Sequence, residues 1–181
     1  MPPNKVPFLI ILITLLVGCQ EKPRNAQGAF FANLGSLCGQ RFIGASTFPD
    51  DPAHDFAGKT LVADFNDCRD QEIRIQFDVG ADRSRTWVIT LTDAGLLLKH
   101  DHRHADGTPD EITNYGGWAN DQVSEWQQYF PADAETAALI PAAATNVWML
   151  RYEPQSATLT YDLKRHGQPR YQAQLQPVNQ R

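Results

Sequence analysis

Glu72 to Val79 alternates without a break: Ile73, Ile75, Phe77 and Val79 fall on one face, and Glu72, Arg74, Gln76 and Asp78 on the other. A period of two is the repeat of an extended chain, so this stretch needs a sheet with one buried and one wet face. The same rhythm recurs along the chain. It predicts strands over Arg41–Phe48, Lys59–Asn66, Arg85–Leu91, Leu96–Arg103, Ile112–Tyr115, Ser124–Phe130, Asn146–Glu153, Ala157–Lys164 and Arg170–Pro177, with Gly44 a bend or bulge in the first. Turn residues separate them. Thr92-Asp93-Ala94-Gly95 reads as a three-residue hairpin loop, Asp106-Gly107 and His166-Gly167 as turns, and Gly116-Gly117 as a strand break.

Helical spacing is confined to two short segments. Phe30, Leu34 and Leu37 recur at intervals of four and three, with Phe31 and Cys38 widening the stripe; this predicts a helix from about Ala29, ended by Gly39 and docked across the open end of a sheet or barrel. A second helix spans about Ala134–Ile140, capped by Asp133. Roughly nine short strands and two short helices place the domain in the all-β class. A meander of hairpins closes most economically into an antiparallel β-barrel of lipocalin-like layout, since closure removes exposed edges; a β-sandwich is the alternative. The resemblance to lipocalins is of layout only, because their GxW triplet is missing.

The first eighteen residues differ in kind. Lys5 precedes an apolar run, Val6 to Val17, that is too short for a stable membrane span and has the form of a signal peptide. It ends in Leu16-Val17-Gly18-Cys19, which resembles the lipobox of bacterial lipoproteins and implies cleavage before Cys19 and lipidation of that cysteine. Gln20 is non-acidic, similar to lipoproteins sent to the outer membrane of Gram-negative cells. The expected location is therefore the cell envelope, membrane-bound through the lipid on Cys19, at the periplasmic face of the outer membrane in a Gram-negative host. The expected organisation is signal peptide 1–18, lipidated cysteine and tether 19–28, one domain 29–177 and a tail 178–181.

Two cysteines remain after Cys19. In an oxidising compartment Cys38 and Cys68 are expected to form a disulfide, two buried free thiols being the competing reading. The net charge of −5 includes Lys5 of the leader, so the mature part is slightly more acidic still, and no basic patch argues for nucleic acid.

His100, His102 and His104 alternate with Asp101 and Arg103. On one strand face their Cα atoms lie about 6.5–7 Å apart, which suits a shared metal ion if the strand twists, with Asp106 to complete the shell. Solvated histidines at a strand end are the competing explanation. Yet the face of His100 continues that of Leu96 and Leu98, so His100 and His102 should point inward, toward a barrel mouth where apolar depth gives way to a polar rim. Arg74 and Arg85, with Arg83, suit a carboxylate or phosphate; ion pairs with Asp78, Asp82 or Asp101 compete with that reading. Among Trp87, Trp118, Trp126 and Trp148, one or two suit a stacking surface and the rest core packing.

The pieces DRSRTW, LKHDHRHADG, YGG, FPAD and NVW, in that order and with the two mature cysteines, resemble a family of uncharacterised bacterial exported proteins over most of residues 29–176. That resemblance implies export and supplies no catalytic residue. No GxSxG, HExxH, SxxK or glycine-rich phosphate loop is present, and no cofactor is indicated. The leading expectation is a non-enzymatic envelope protein whose barrel holds a small ligand through Arg74, Arg85, His100 and His102. A metal-binding protein using His100, His102, His104 and Asp106, and a structural lipoprotein acting through protein contacts, are the alternatives.

Overall fold

Each strand pairs antiparallel with its neighbours in one eleven-stranded sheet. A computed structural model describes residues 23–178; the leader, Cys19 and residues 179–181 lie outside the described residues. In chain order the elements are α1 (Pro23–Gly35), β1 (Arg41–Phe48), β2 (Leu61–Cys68), β3 (Glu72–Val79), β4 (Asp82–Thr92), β5 (Gly95–His102), β6 (Tyr115–Trp118), β7 (Val123–Ser124), β8 (Gln127–Pro131), α2 (Ala134–Leu139), β9 (Asn146–Glu153), β10 (Thr158–Arg165) and β11 (Gln168–Pro177). The spatial order is β6-β5-β4-β3-β2-β1-β11-β10-β9-β8-β7, a meander interrupted where the last strand pairs with the first.

The sheet curls until β6 lies beside β8, giving an all-β, barrel-like fold built from one continuous sheet rather than the two of a sandwich. The seam carries no ladder between named strands. Instead Asp133 N–H donates to Gly116 O at 3.0 Å and Asn120 N–H to Tyr129 O at 3.0 Å. The Thr136 hydroxyl, fully buried on α2, accepts from Gly116 N–H and donates to Gly116 O, both at 2.7 Å. Asp133 caps α2 as the sequence predicts, its side chain accepting from Thr136 N–H at 2.8 Å.

Gly116 and Gly117 stand inside β6 rather than breaking it, and the strand runs three residues later than the alternation suggests. Their role is close approach: a Cβ on Gly117 would strike the Pro131 carbonyl oxygen, and one on Gly116 the Leu98 carbonyl oxygen. Both obstacles are backbone, so neither yields cheaply. Gly117→Ala should cost about 2 kcal/mol through overpacking at the seam, read as a lower urea midpoint with little change in slope. An unchanged midpoint would show that the seam adds nothing.

The β4–β5 connection is also tighter than predicted. Asp93-Ala94 is a two-residue loop with Thr92 opposite Gly95, and the Thr92 hydroxyl accepts from Ala94 N–H at 3.1 Å and donates to Gly95 O at 3.0 Å.

Inward residues follow the predicted parity. Ile73, Ile75, Phe77, Trp87, Ile89, Leu96, Leu98, Leu159 and Leu175 form one buried cluster. Phe77, Trp87 and Tyr161 stack across the interior with successive ring centroids 4.4 Å apart. The helix α1 closes one end, burying Phe30, Phe31 and Leu34. It begins at Pro23, six residues before the expected start, so residues 23–28 are helical rather than an irregular tether. Gln27 explains part of that extension: its side-chain oxygen accepts from Leu96 N–H at 3.0 Å, docking the first turns on β5. Cys38, just beyond α1, is disulfide-bonded to Cys68 at the end of β2.

Candidate functional site

β5 runs away from α1, so the residues at its far end, His100 and His102, sit at the other mouth of the barrel. Trp87 faces His100 and Arg85 faces His102 across the β4–β5 register, while Tyr115 of β6 pairs with His100 on the other side. Opposite this wall, Trp148, Leu163 and Tyr171 stand in a row across β9, β10 and β11. Between the two walls lies a pocket of about 390 Å³, lined by His102, Tyr115, Trp148, Tyr161, Leu163 and Tyr171, among others. That is near the small end of the roughly 300–1,000 Å³ range of ligand pockets.

The loop between β1 and β2 completes the rim. His54 stacks on Tyr171 with centroids 5.4 Å apart and planes 16° from parallel, and Phe56 packs edge-on against the same ring at 5.3 Å. The Arg85 guanidinium lies 5.2 Å from the Phe56 ring centroid, a cation–π contact that holds this loop against β4.

His100 points inward, as the Leu96 and Leu98 parity predicts, and is only 3% exposed. Its Nδ1 lies 3.1 Å from the Tyr115 carbonyl oxygen, which can only accept, so Nδ1 carries the proton. Nε2 then accepts from the Tyr161 hydroxyl at 2.8 Å. Burial pulls the imidazole down to about 3, against a smaller upward effect of the Tyr115 carbonyl, so His100 is neutral at ordinary pH. His102 is half-buried, with Nε2 3.0 Å from the Tyr115 hydroxyl; burial and then the Arg85 charge lower its pKa. Burial raises Tyr115 to about 12 and Tyr161 well above 10, so both phenols stay protonated. The wall formed by His100, Tyr115 and Tyr161 is therefore made of neutral rings and hydroxyls in fixed orientations.

The sequence-predicted residues divide. His102 lines the pocket, and His100 lies behind Tyr115 and Tyr161 as a support. Arg85 is on the inward face but is ion-paired with Asp82, whose carboxyl is raised by burial yet held at about 2 overall by the Ser84 N–H and Arg85. Arg74 is on the outer face, 2.6 Å from the buried Asp101 and 3.6 Å from Glu72, and does not reach the pocket. Arg83 likewise meets Asp78 at 3.8 Å. Ion pairing thus accounts for all three arginines that the sequence singles out.

The histidine triplet does not converge. The strand ends at His102, and the chain enters a turn in which His104 N–H donates to Thr108 O at 2.9 Å; this leaves His104 exposed. Asp106 is occupied within that turn, accepting from Thr108 N–H at 2.9 Å and from its hydroxyl at 2.6 Å. Among the described residues, no group of three or more His, Cys, Asp or Glu side chains is placed to hold a metal ion. The shared site for His100, His102, His104 and Asp106 is thereby corrected: alternation brings only the first two inward, and both nitrogens of His100 are already engaged.

Sequence reasoning passed over Tyr115, Tyr161, Tyr171, Arg165 and Arg170, all of which line the pocket. Arg165 was within reach of it. The residue continues the parity of Leu159, Tyr161 and Leu163 to the end of β10, the same extrapolation that turns His100 inward from Leu98. Tyr171 also alternates visibly, but nothing local says that His54 and Phe56 fold onto it. No protein-family model, curated protein or solved structure matches this chain.

Proposed function

We propose that this is a lipid-anchored cell-envelope protein whose barrel-like domain binds a small organic ligand without transforming it. The observation that carries the reading is the aromatic pocket of about 390 Å³ at the mouth opposite α1. Its polar groups support binding better than chemistry. The tyrosines hold their protons, the buried imidazole is neutral and doubly hydrogen-bonded, and these side chains orient one another rather than a nucleophile.

The anchor reading rests on the apolar run from Val6 to Val17 and on Gly18-Cys19 directly after it. Pro23, where α1 begins, is only four residues beyond Cys19, a reach of at most about 14 Å. On this reading the plugged end of the barrel faces the membrane and the pocket opens away from it, accessible to solutes in the envelope. Gln20 favours the outer membrane in a Gram-negative host.

Native mass spectrometry of the protein released from its own envelope tests both parts. The mature chain should begin at a triacylated Cys19, and part of the population should carry an added mass of one small molecule. Leu163→Trp, which fills the pocket from a half-buried position, should remove that added mass while keeping the lipid. A chain that retains residues 1–18, or has no lipid, would overturn the anchor. A ligand mass unaffected by Leu163→Trp would overturn the pocket as its site.

A further inference from the structure

The pocket mouth carries two arginines with no carboxylate partner among the described residues. Arg165 and Arg170 flank the β10–β11 hairpin and both line the pocket. Arg165 Nε donates to Asn146 Oδ1 at 2.8 Å, which fixes the guanidinium plane and leaves its Nη ends without a hydrogen-bonded partner among the described residues. Arg170 is exposed and has neither an ion pair nor a side-chain hydrogen bond among the described residues. This contrasts with Arg69, Arg74, Arg83, Arg85 and Arg103, each of which has a carboxylate within 4.0 Å in a chain that has acid to spare.

The acidic residues of the same pocket, Asp55 and Asp110, form no ion pair with either arginine among the described residues. Asp110 turns back on its own loop, accepting from Ile112 N–H at 3.0 Å. The lining beside the arginines is largely apolar, with the aromatic side chains Trp148, Tyr161 and Tyr171 and the aliphatic side chains Ile112, Ile140 and Leu163. A charged rim over a largely apolar pocket matches a molecule divided in the same way. Guanidinium forks bind carboxylates and related oxyanions with paired, charge-assisted hydrogen bonds.

Resting on the pocket reading above, we infer that the ligand is a small organic anion with a compact, largely apolar body, its acidic group held by Arg165 and Arg170 and its body seated among the apolar side chains that line the pocket, Leu163 and Tyr171 included. Carboxylate, sulfonate and phosphate heads share this chemistry. The volume favours a body of one or two rings over a long acyl chain.

Three probes with one ring system separate charge from shape: 2-naphthoate, 2-naphthamide and 2-naphthylmethylammonium. Each is titrated calorimetrically into the full chain in lipid nanodiscs, with empty discs as the blank. Naphthoate should bind about tenfold more tightly than the amide, and the ammonium most weakly. Arg165→Gln combined with Arg170→Gln should bring the acid-to-amide ratio to within about twofold. Since Arg165 also ties β10 to Asn146, Arg170→Gln alone provides a variant with no described internal bond to lose, and it should cut the ratio about threefold.

Equal affinities for acid and amide, a preference for the ammonium, or a ratio insensitive to both variants would overturn the anion class. The pocket reading would still stand wherever the amide binds wild type and fails to bind Leu163→Trp. If none of the three binds wild type, the class falls. The pocket falls with it only if the envelope-purified protein also carries no small-molecule mass.

Discussion

The folded protein should lose about 3 kcal/mol of stability between pH 7 and pH 4, and most of that loss should trace to one side chain, His100. Its imidazole lies among Tyr115, Trp148 and Tyr161, with ring centroids 4.7, 5.1 and 6.0 Å away, and burial holds its pKa at about 3 against 6.5 in the unfolded chain. A depressed pKa contributes stability that is complete above 6.5 and is lost as pH falls toward 3, because the unfolded chain takes up a proton that the folded site refuses. The slope in that window approaches 1.4 kcal/mol per pH unit, about one proton's worth. His102, also lowered, adds to it with the same sign.

Carboxylates act in a different window. Asp82, held at about 2 against an ordinary 3.8, keeps its contribution until the pH drops below about 4. Urea midpoints at pH 7, 6 and 5 therefore isolate the histidines. His100→Gln, which can still donate to the Tyr115 carbonyl and accept from Tyr161, should flatten the curve by about one proton. Equal slopes in wild type and variant would mean that His100 titrates normally in the folded state.

His100 also marks the limit of what alternation discloses. Its inward direction follows from Leu96 and Leu98 two and four residues earlier, since a strand cannot change parity without a bulge. The depth of its burial does not follow, because that depends on Tyr161 and Trp148, more than forty residues away and on the opposite wall. The same division applies to Arg74 and Arg85. Parity alone puts Arg85 inward with Trp87 and Arg74 outward with Gln76, so their different fates were legible. The choice of partner divides in the same way: Asp82 stands three residues before Arg85 on the same strand, whereas Asp101 reaches Arg74 from β5, two strands away, a neighbour that only the assembled sheet supplies.

Glycine caused the clearest misreading of the fold. Gly116-Gly117 has the composition of a break, and composition cannot distinguish a turn from a strand whose backbone must pass within van der Waals reach of another. Here the second case holds, because the seam between β6 and the Pro131–Asp133 segment leaves no room for a Cβ. Tyr115 is the functional consequence. Starting β6 at Tyr115 instead of ending it there sets that ring against His100 and His102 and makes it part of the pocket wall.

Removing the disulfide should have an effect as large as acid. Cys38 and Cys68 are 30 residues apart, and a loop of that size is worth roughly 3–4 kcal/mol in the chain-entropy model. The double variant Cys38→Ala, Cys68→Ala should therefore lower the unfolding free energy by about that amount, and dithiothreitol should do the same to wild type but not to the variant. The position of the crosslink adds a local expectation. α1 is held to the barrel by Phe30, Phe31 and Leu34, by the Gln27 contact to Leu96 and by the covalent tie from Cys38 to β2. A 13-residue helix is marginal on its own, so cutting the tie should loosen α1 before the sheet opens. Amide exchange in α1 should then accelerate by more than exchange in β3 and β4 at the centre of the meander. If protection falls uniformly across α1, β3 and β4, the bond acts only on the unfolded chain, and α1 is secured by its buried aromatic face alone.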